Sequence, residues 1–158
     1  MLDPRNQARN VLTARWDFVC IGPRMHPEAQ RLNALTDAII GAAIDVHKIL
    51  GPGLLESAYE ACLYHELVKR GFTVERQKPL PLLYGDVRLD CAYRMDLVVE
   101  AAVVVEVKSV AKLDRVHEAQ MISYLKISGL HVGLVLNFNV RNLFLDRGIM
   151  RKVNDFPE

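Results

Sequence analysis

The chain has 158 residues, of which 51% are hydrophobic and 25% charged, and its formal net charge at pH 7 is +1. This composition is typical of one soluble domain with a core of its own, and we expect a cytoplasmic protein. The longest apolar runs are too short to span a membrane, so we expect no membrane partner. The three cysteines are widely spaced, which excludes a zinc site of the usual ligand spacing and indicates a reducing compartment. The near-neutral charge neither indicates nor excludes a nucleic-acid partner, because a basic cleft is compatible with a neutral total.

The N-terminal part of the chain has weak periodicity, and a clear pattern begins only at Asn33. We expect residues 1–32 to be a poorly defined N-terminal extension, residues 33–153 to form the domain and residues 154–158 to be a tail. Two alternatives stay open for the extension. Residues 16–21 would suit a short strand, and Met25 would suit a native start that leaves the first 24 residues outside the protein.

Two helices and a series of strands follow in chain order. Apolar residues recur at helical spacing over residues 33–50 and 54–70, and glycines end both segments. Strand-like segments then lie at residues 72–76, 82–84, 87–89, 92–99 and 102–110, and a Gly85-Asp86 turn separates the second from the third. A helix at 114–128 and a strand at 131–138 complete the order. This α-α-β-β-β-β-α-β order predicts an α/β fold, because a crossover helix generally joins parallel strands. We expect a mixed central sheet of about four strands, flanked by helices.

The segment at residues 102–110 reads AVVVEVKSV, a buried strand that carries two charges. Strand side chains alternate between faces, so Glu106 and Lys108 point the same way. A charge in a covered strand is costly unless it is paired or bound to a metal ion. One interpretation is a plain ion pair of Lys108 with Glu106 or with Asp96 of the preceding strand.

The other interpretation is a metal site, and it depends on the turn between the two strands. If residues 100–102 form a three-residue loop, Val99 pairs with Val103 and Asp96 lies directly opposite Glu106. Two opposed carboxylates repel each other when both are ionised, and a divalent cation such as Mg²⁺ or Mn²⁺ removes that repulsion. A two-residue turn would instead place Val105 opposite Asp96 and abolish the arrangement.

The spacing D-x(9)-E-x-K, on a hairpin followed by a helix, resembles the core motif of the PD-(D/E)XK nuclease superfamily, with Met95 where the conventional proline stands. Within that superfamily the chain resembles the GxxExxY proteins, whose motif is present as GLLESAY at residues 53–59. The surrounding blocks also match in order: GAAIDVHKILGPGLLESAYE, LDCAYRMDLVVE, VEVKSV, HEAQMISYLK and GLVLNFNV. The resemblance covers residues 34–153 and implies a restriction-endonuclease-like core.

The resemblance also implies a catalytic site. Asp96 and Glu106 would bind the metal ion, and the backbone carbonyl of Val107 would be a further ligand. Lys108 would orient or activate the attacking water and stabilise charge on the phosphate. Glu56 resembles the extra acidic residue with which many of these nucleases complete the metal site.

A polar pair on the helix after the motif belongs to the same implied site. Gln120 and Tyr124 resemble the residues that RecB-like members place near the metal, and as i and i+4 they share one helix face. His117 lies near the same stripe, and we interpret it as a hydrogen-bonded residue at the core edge.

We therefore expect a Mg²⁺- or Mn²⁺-dependent nuclease that acts on phosphodiester bonds, with DNA preferred over RNA by analogy with the superfamily. A homodimer would suit an enzyme that cuts both strands. The alternative is a catalytically silent module of the same fold that binds nucleic acid or a protein. A small-molecule phosphohydrolase ranks last, because no glycine-rich phosphate loop is present.

Overall fold

The computed structural model describes residues 25–157, apart from the side chains at positions 91 and 92. The predictions for residues 1–24, including the short strand at 16–21, lie outside the described residues. The elements are α1 (Pro27–Leu50), α2 (Glu56–Lys69), β1 (Val74–Tyr84), β2 (Val87–Val99), β3 (Val103–Lys108), α3 (Arg115–Ser128), β4 (Val132–Asn137) and β5 (Ile149–Val153).

One five-stranded sheet in the order β1-β2-β3-β4-β5 forms the centre of the described residues. Neighbouring strands are antiparallel except β3 and β4, which are parallel and joined by α3, as the crossover argument predicts. The α/β fold with a mixed sheet flanked by helices is therefore confirmed. Over residues 25–157, no helix combines the length and the hydropathy that crossing a membrane requires.

The predicted order of elements was wrong in two places, and the observed order is α-α-β-β-β-α-β-β. The segment at 72–76, from residue 74 onward, and the segment at 82–84 belong to the single strand β1, although Pro79 and Pro81 lie between them. Proline is tolerated here because β1 is an edge strand, with one side of its backbone unpaired within the sheet. The segments at 87–89 and 92–99 likewise form the single strand β2, and the predicted Gly85-Asp86 turn joins the two.

The fifth strand was missed because β5 is short and lies at the opposite edge, where its residues alternate only between half-buried and exposed. Helix α1 also begins earlier than the periodicity predicted. Pro27 occupies its first turn, where a missing backbone N–H costs nothing, and Ala29 and Leu32 are fully buried.

The two faces of the sheet carry separate cores. Helices α1 and α2 pack on the face that presents Leu97, Val99, Val103, Val105 and Val107. Helix α3 packs on the other face, against a smaller cluster that includes Val98 and Val104. Since Glu106 has the same parity as Val104, its side chain belongs to the face that α3 covers.

Candidate active site

The hairpin between β2 and β3 sets the position of the two central carboxyl groups. Val99 pairs with Val103 and Leu97 with Val105, so the register places Asp96 opposite Glu106. The turn is the three-residue loop 100–102, closed by a 3.0 Å hydrogen bond from the Ala102 amide to the Val99 carbonyl. The two-residue alternative is therefore excluded.

Beyond the Leu97–Val105 pair, the carboxylates replace the hydrogen bonds of the strand ladder. The Asp96 amide donates to Glu106 Oε1 at 3.1 Å, and the Val107 amide donates to Asp96 Oδ2 at 2.9 Å. Each acidic side chain thus holds the backbone of the strand that carries the other. These reciprocal bonds keep both side chains at the junction of the two strands.

Burial and mutual repulsion oppose ionisation of the pair. The Glu106 side chain is 4% exposed, and burial, followed by the charge of Asp96, raises its pKa from 4.5 to about 8. The pKa of Asp96 is also raised, chiefly by burial, while the Val107 amide bond acts in the opposite direction. The junction therefore disfavours two negative charges in the absence of a cation.

Lys108 supplies one positive charge beside this pair. Its ammonium nitrogen lies 3.7 Å from Glu106 Oε2, and its side chain is 16% exposed. The ion pair that the sequence suggested as an alternative is thus present between these two residues. It coexists with the opposed carboxylates, and the lysine offsets only one of their two charges.

Glu56, the first residue of α2, lies beside the end of β3 and accepts a hydrogen bond from the backbone there. Its Oε1 accepts a 3.1 Å hydrogen bond from the Ser109 amide, and the Ser109 hydroxyl donates to the Leu54 carbonyl at 2.7 Å. Tyr59 donates to the Gly51 carbonyl at 2.6 Å and accepts from the Leu54 amide. The GLLESAY segment therefore ties the loop between α1 and α2 to the end of β3.

Gln120 and Tyr124 contact each other on the face of α3 that covers the sheet. The Gln120 amide donates to the Tyr124 hydroxyl at 2.9 Å. Tyr124 is 4% exposed, and its pKa is raised by burial and then by the charge of Glu106. The pair that the resemblance implied, and that helical spacing placed on one face of α3, therefore lies beside the carboxylates.

Sequence reasoning missed Glu60 and Gln77. Glu60 is buried on α2, where Oε2 accepts from the Gln77 amide at 2.9 Å and Oε1 accepts from Arg76 at 3.1 Å. Gln77 also donates to Asp96 Oδ1 at 3.2 Å, which links Glu60 to the carboxyl pair. A signal existed, because Glu60 is three residues before the buried Leu63 and so is a charged residue on the apolar stripe of α2.

The regular alternation of side chains between the two faces of the sheet is broken in β2 at the site. Met95 belongs to the cluster under α3 and Leu97 to the cluster under α1 and α2, although residues two apart in a regular strand share a face. Opposite this point, Gln77 has a φ of 47°, a left-handed conformation that interrupts β1. The distal part of the hairpin consequently turns its other side toward α3.

Several basic residues around β1 and in β5 are engaged in ion pairs. Arg70 pairs with Asp45 and Glu66, while Arg76, Lys78 and Lys152 pair with Glu60, Glu75 and Glu118 respectively.

His117 is confirmed as a hydrogen-bonded structural residue, since its Nδ1 accepts from the Asp114 amide in the capping box that begins α3.

The donor chemistry of the junction fits a hard divalent cation. Asp96 and Glu106 present oxygen ligands from adjacent strands, and the charge that they resist carrying together is what such a cation neutralises. Over residues 25–157, no group of three or more His, Cys, Asp or Glu side chains is assembled for metal binding. Any cation held by the carboxyl pair would complete its coordination with backbone carbonyls, water or the phosphate.

Comparison with known proteins agrees with the geometry. A family model of the PD-(D/E)XK nuclease superfamily matches residues 33–152. Searches of the curated proteins and of the solved structures returned no match.

Proposed function

Since this chain belongs to the PD-(D/E)XK nuclease superfamily, we propose that it hydrolyses phosphodiester bonds with the help of Mg²⁺ or Mn²⁺. The observation that carries this proposal is the register that sets Asp96 opposite Glu106, with Lys108 on the same face. The GLLESAY segment supports a finer assignment to the GxxExxY proteins.

Asp96 and Glu106 would hold the cation, with the Val107 carbonyl as a further ligand. Glu56, whose Oε1 accepts from the Ser109 amide and which is not grouped with the two carboxylates, would support the end of β3 rather than bind the cation directly. When bound, the cation would polarise the phosphate and lower the pKa of a coordinated water. Lys108 would stabilise the negative charge that develops on the phosphate oxygens. Lys108 suits this role because it is mostly buried, and a charge acts more strongly where little water screens it.

Gln120 and Tyr124 would position the substrate beside this centre, since both lie on the helix that covers the carboxyl face. We propose DNA as the preferred polymer and a homodimer as the form that cuts both strands; both rest on analogy with the superfamily.

The test is cleavage of DNA and RNA by the full chain with Mg²⁺ or Mn²⁺, comparing wild type with Lys108→Met and Lys112→Met. Lys112 is a matched control, because it is an exposed lysine only four residues away. Losing one charge stabiliser typically costs about 100- to 1,000-fold in rate, so Lys108→Met should be nearly inactive and Lys112→Met unchanged. Equal trace cleavage by wild type and Lys108→Met would reveal a contaminating nuclease and overturn the proposal.

A second candidate, a catalytically silent module of the same fold, has an observation in its favour. Three of the four carboxylate oxygens of Asp96 and Glu106 already accept hydrogen bonds from protein N–H groups. Titration calorimetry with Mn²⁺ separates the two functions. The nuclease requires Mn²⁺ binding that Asp96→Asn weakens, whereas the module predicts no heat of binding in either protein.

A further inference from the structure

A second concave surface adjoins the carboxyl site. It is a cleft of about 480 Å³ between α3 and the distal part of the β1–β2 hairpin. Its apolar wall consists of Leu82, Val116, Ala119 and Ile127; Gln120 and Ser123 are polar, and Tyr93 and Tyr124 are aromatic. The volume lies within the usual range for small-ligand pockets.

The two tyrosines connect the cleft to the site. Their ring centroids are 5.9 Å apart at an interplanar angle of 62°. Tyr124 is buried and bonded to Gln120, whereas Tyr93 is 43% exposed. Tyr93 is three residues before Asp96 on β2, or about 10 Å along a strand.

The broken side-chain alternation of β2 brings the two tyrosines together. In a strand that continued regularly from Leu97, Tyr93 would point toward the face covered by α1 and α2, because residues four apart in a regular strand share a face. The interruption at Gln77 and Asp96 instead brings Tyr93 against Tyr124, and its cross-strand partner Leu80 belongs to the α3 cluster.

We propose that this cleft binds an unpaired nucleobase of the nucleic acid whose phosphate lies at the carboxyl site, so that the protein selects single-stranded segments. This inference rests on the proposed function. Aromatic rings stack on any base, and such stacking contributes a large part of single-strand affinity.

The charge of the cleft favours a base over a phosphate. Among the residues that the structure describes, those that line the cleft include neither lysine nor arginine, and Lys108 lies instead beside the carboxylates. Gln120 retains hydrogen-bonding capacity after its bond to Tyr124, which suits the edge of a base. A base in a duplex is stacked and paired, so only an unpaired base enters without unstacking cost.

The experiment is fluorescence anisotropy with labelled oligo(dT), oligo(U), a duplex of equal length and an abasic oligonucleotide with the same number of phosphates. Full-length protein is used in EDTA, so that binding is measured without cleavage. Wild type should bind the single strands more tightly than the duplex or the abasic strand. Tyr93→Ala should weaken binding to the single strands about tenfold and leave abasic binding unchanged. Oligo(dT) and oligo(U) report whether the base site distinguishes DNA from RNA.

Two further variants guard against a folding artefact. Ala119→Trp fills the cleft from an exposed position on α3 and should cause the same loss. Tyr84→Ala removes a tyrosine that is 80% exposed on the same hairpin but does not line the cleft, and it should bind like wild type.

The inference is overturned if Tyr93→Ala binds oligo(dT) like wild type, or if its loss is equal on the abasic strand. If wild type cleaves DNA while Tyr93→Ala binds normally, the nuclease proposal stands and the base site is wrong. If base-dependent binding occurs in a protein that does not cleave with Mg²⁺ or Mn²⁺, the base site stands and the nuclease proposal fails.

Discussion

Replacing Glu106 with glutamine should make the metal-free protein more stable at alkaline pH. The pKa of Glu106 is raised from 4.5 to about 8, so the folded protein holds this proton more tightly than the unfolded chain does. The stabilisation from the proton is complete below about pH 4.5 and is lost as the pH rises through 8. Glutamine keeps the oxygen that accepts from the Asp96 amide but carries no ionisable proton.

The magnitude follows from the two pKa values. With one pKa unit worth about 1.4 kcal/mol, raising the pH from about 5 to about 9 should cost wild type about 4 kcal/mol of unfolding free energy through Glu106. Because the Glu106 side chain is 4% exposed, solvent screening reduces this figure little. The Glu106→Gln variant should escape the loss, so the difference between the proteins should move by about 4 kcal/mol in its favour.

The assay is urea unfolding of both proteins in EDTA at several pH values, followed by circular dichroism. Titrating groups remote from Glu106 contribute equally to both proteins and cancel in the difference, so the change that remains belongs to Glu106 and its coupled neighbours Asp96 and Tyr124. A difference in unfolding free energy that stays constant between pH 5 and pH 9 would refute the assigned burial and repulsion. In wild type at pH 9, Mn²⁺ should restore stability if the pair binds it, because the cation replaces the proton.

Three substitutions can be checked by thermal unfolding. A Cβ at Gly133 would overlap the Met121 sulfur, so Gly133→Ala should cost about 1–3 kcal/mol. Gly41 is half-buried in α1, and the atom nearest to an added Cβ would be 3.7 Å away, so Gly41→Ala should gain about 0.5–1 kcal/mol. Asn137 is 1% exposed and bonds both the amide and the carbonyl of Val110, so Asn137→Leu should cost about 1–3 kcal/mol by leaving these groups unpaired. Destabilisation by Gly41→Ala, or a neutral effect of Asn137→Leu, would contradict these contacts.

The pattern of the elements predicted the α/β fold, and the opposed carboxyl pair was one of two alternatives that depended on the length of one turn. Strand parity placed Glu106 and Lys108 on one face, and a three-residue loop placed Asp96 opposite Glu106. These features are local, because they depend on neighbouring residues and on one short turn. The spacing of Gln120 and Tyr124 on one helix face is local in the same sense.

The sequence pattern failed where edges of the sheet or distant contacts decide the structure. The pattern separated a segment at 72–76 from one at 82–84, but Pro79 and Pro81 between them are tolerated in one strand, because an edge strand leaves one side of its backbone without a sheet partner. The link from Glu60 through Gln77 to Asp96 joins positions 17 and 19 residues apart, which no period reveals.

The sequence by itself thus determined which face of β3 carries charge, because side-chain alternation in a regular strand follows from backbone geometry. Only the tertiary structure decided how strongly those charges are perturbed and what surrounds them. Burial under α3 raises the pKa of Glu106, and the broken side-chain alternation of β2 at Asp96 brings Tyr93 to the cleft. Both effects arise when distant elements pack together, so neither can be read from residue spacing.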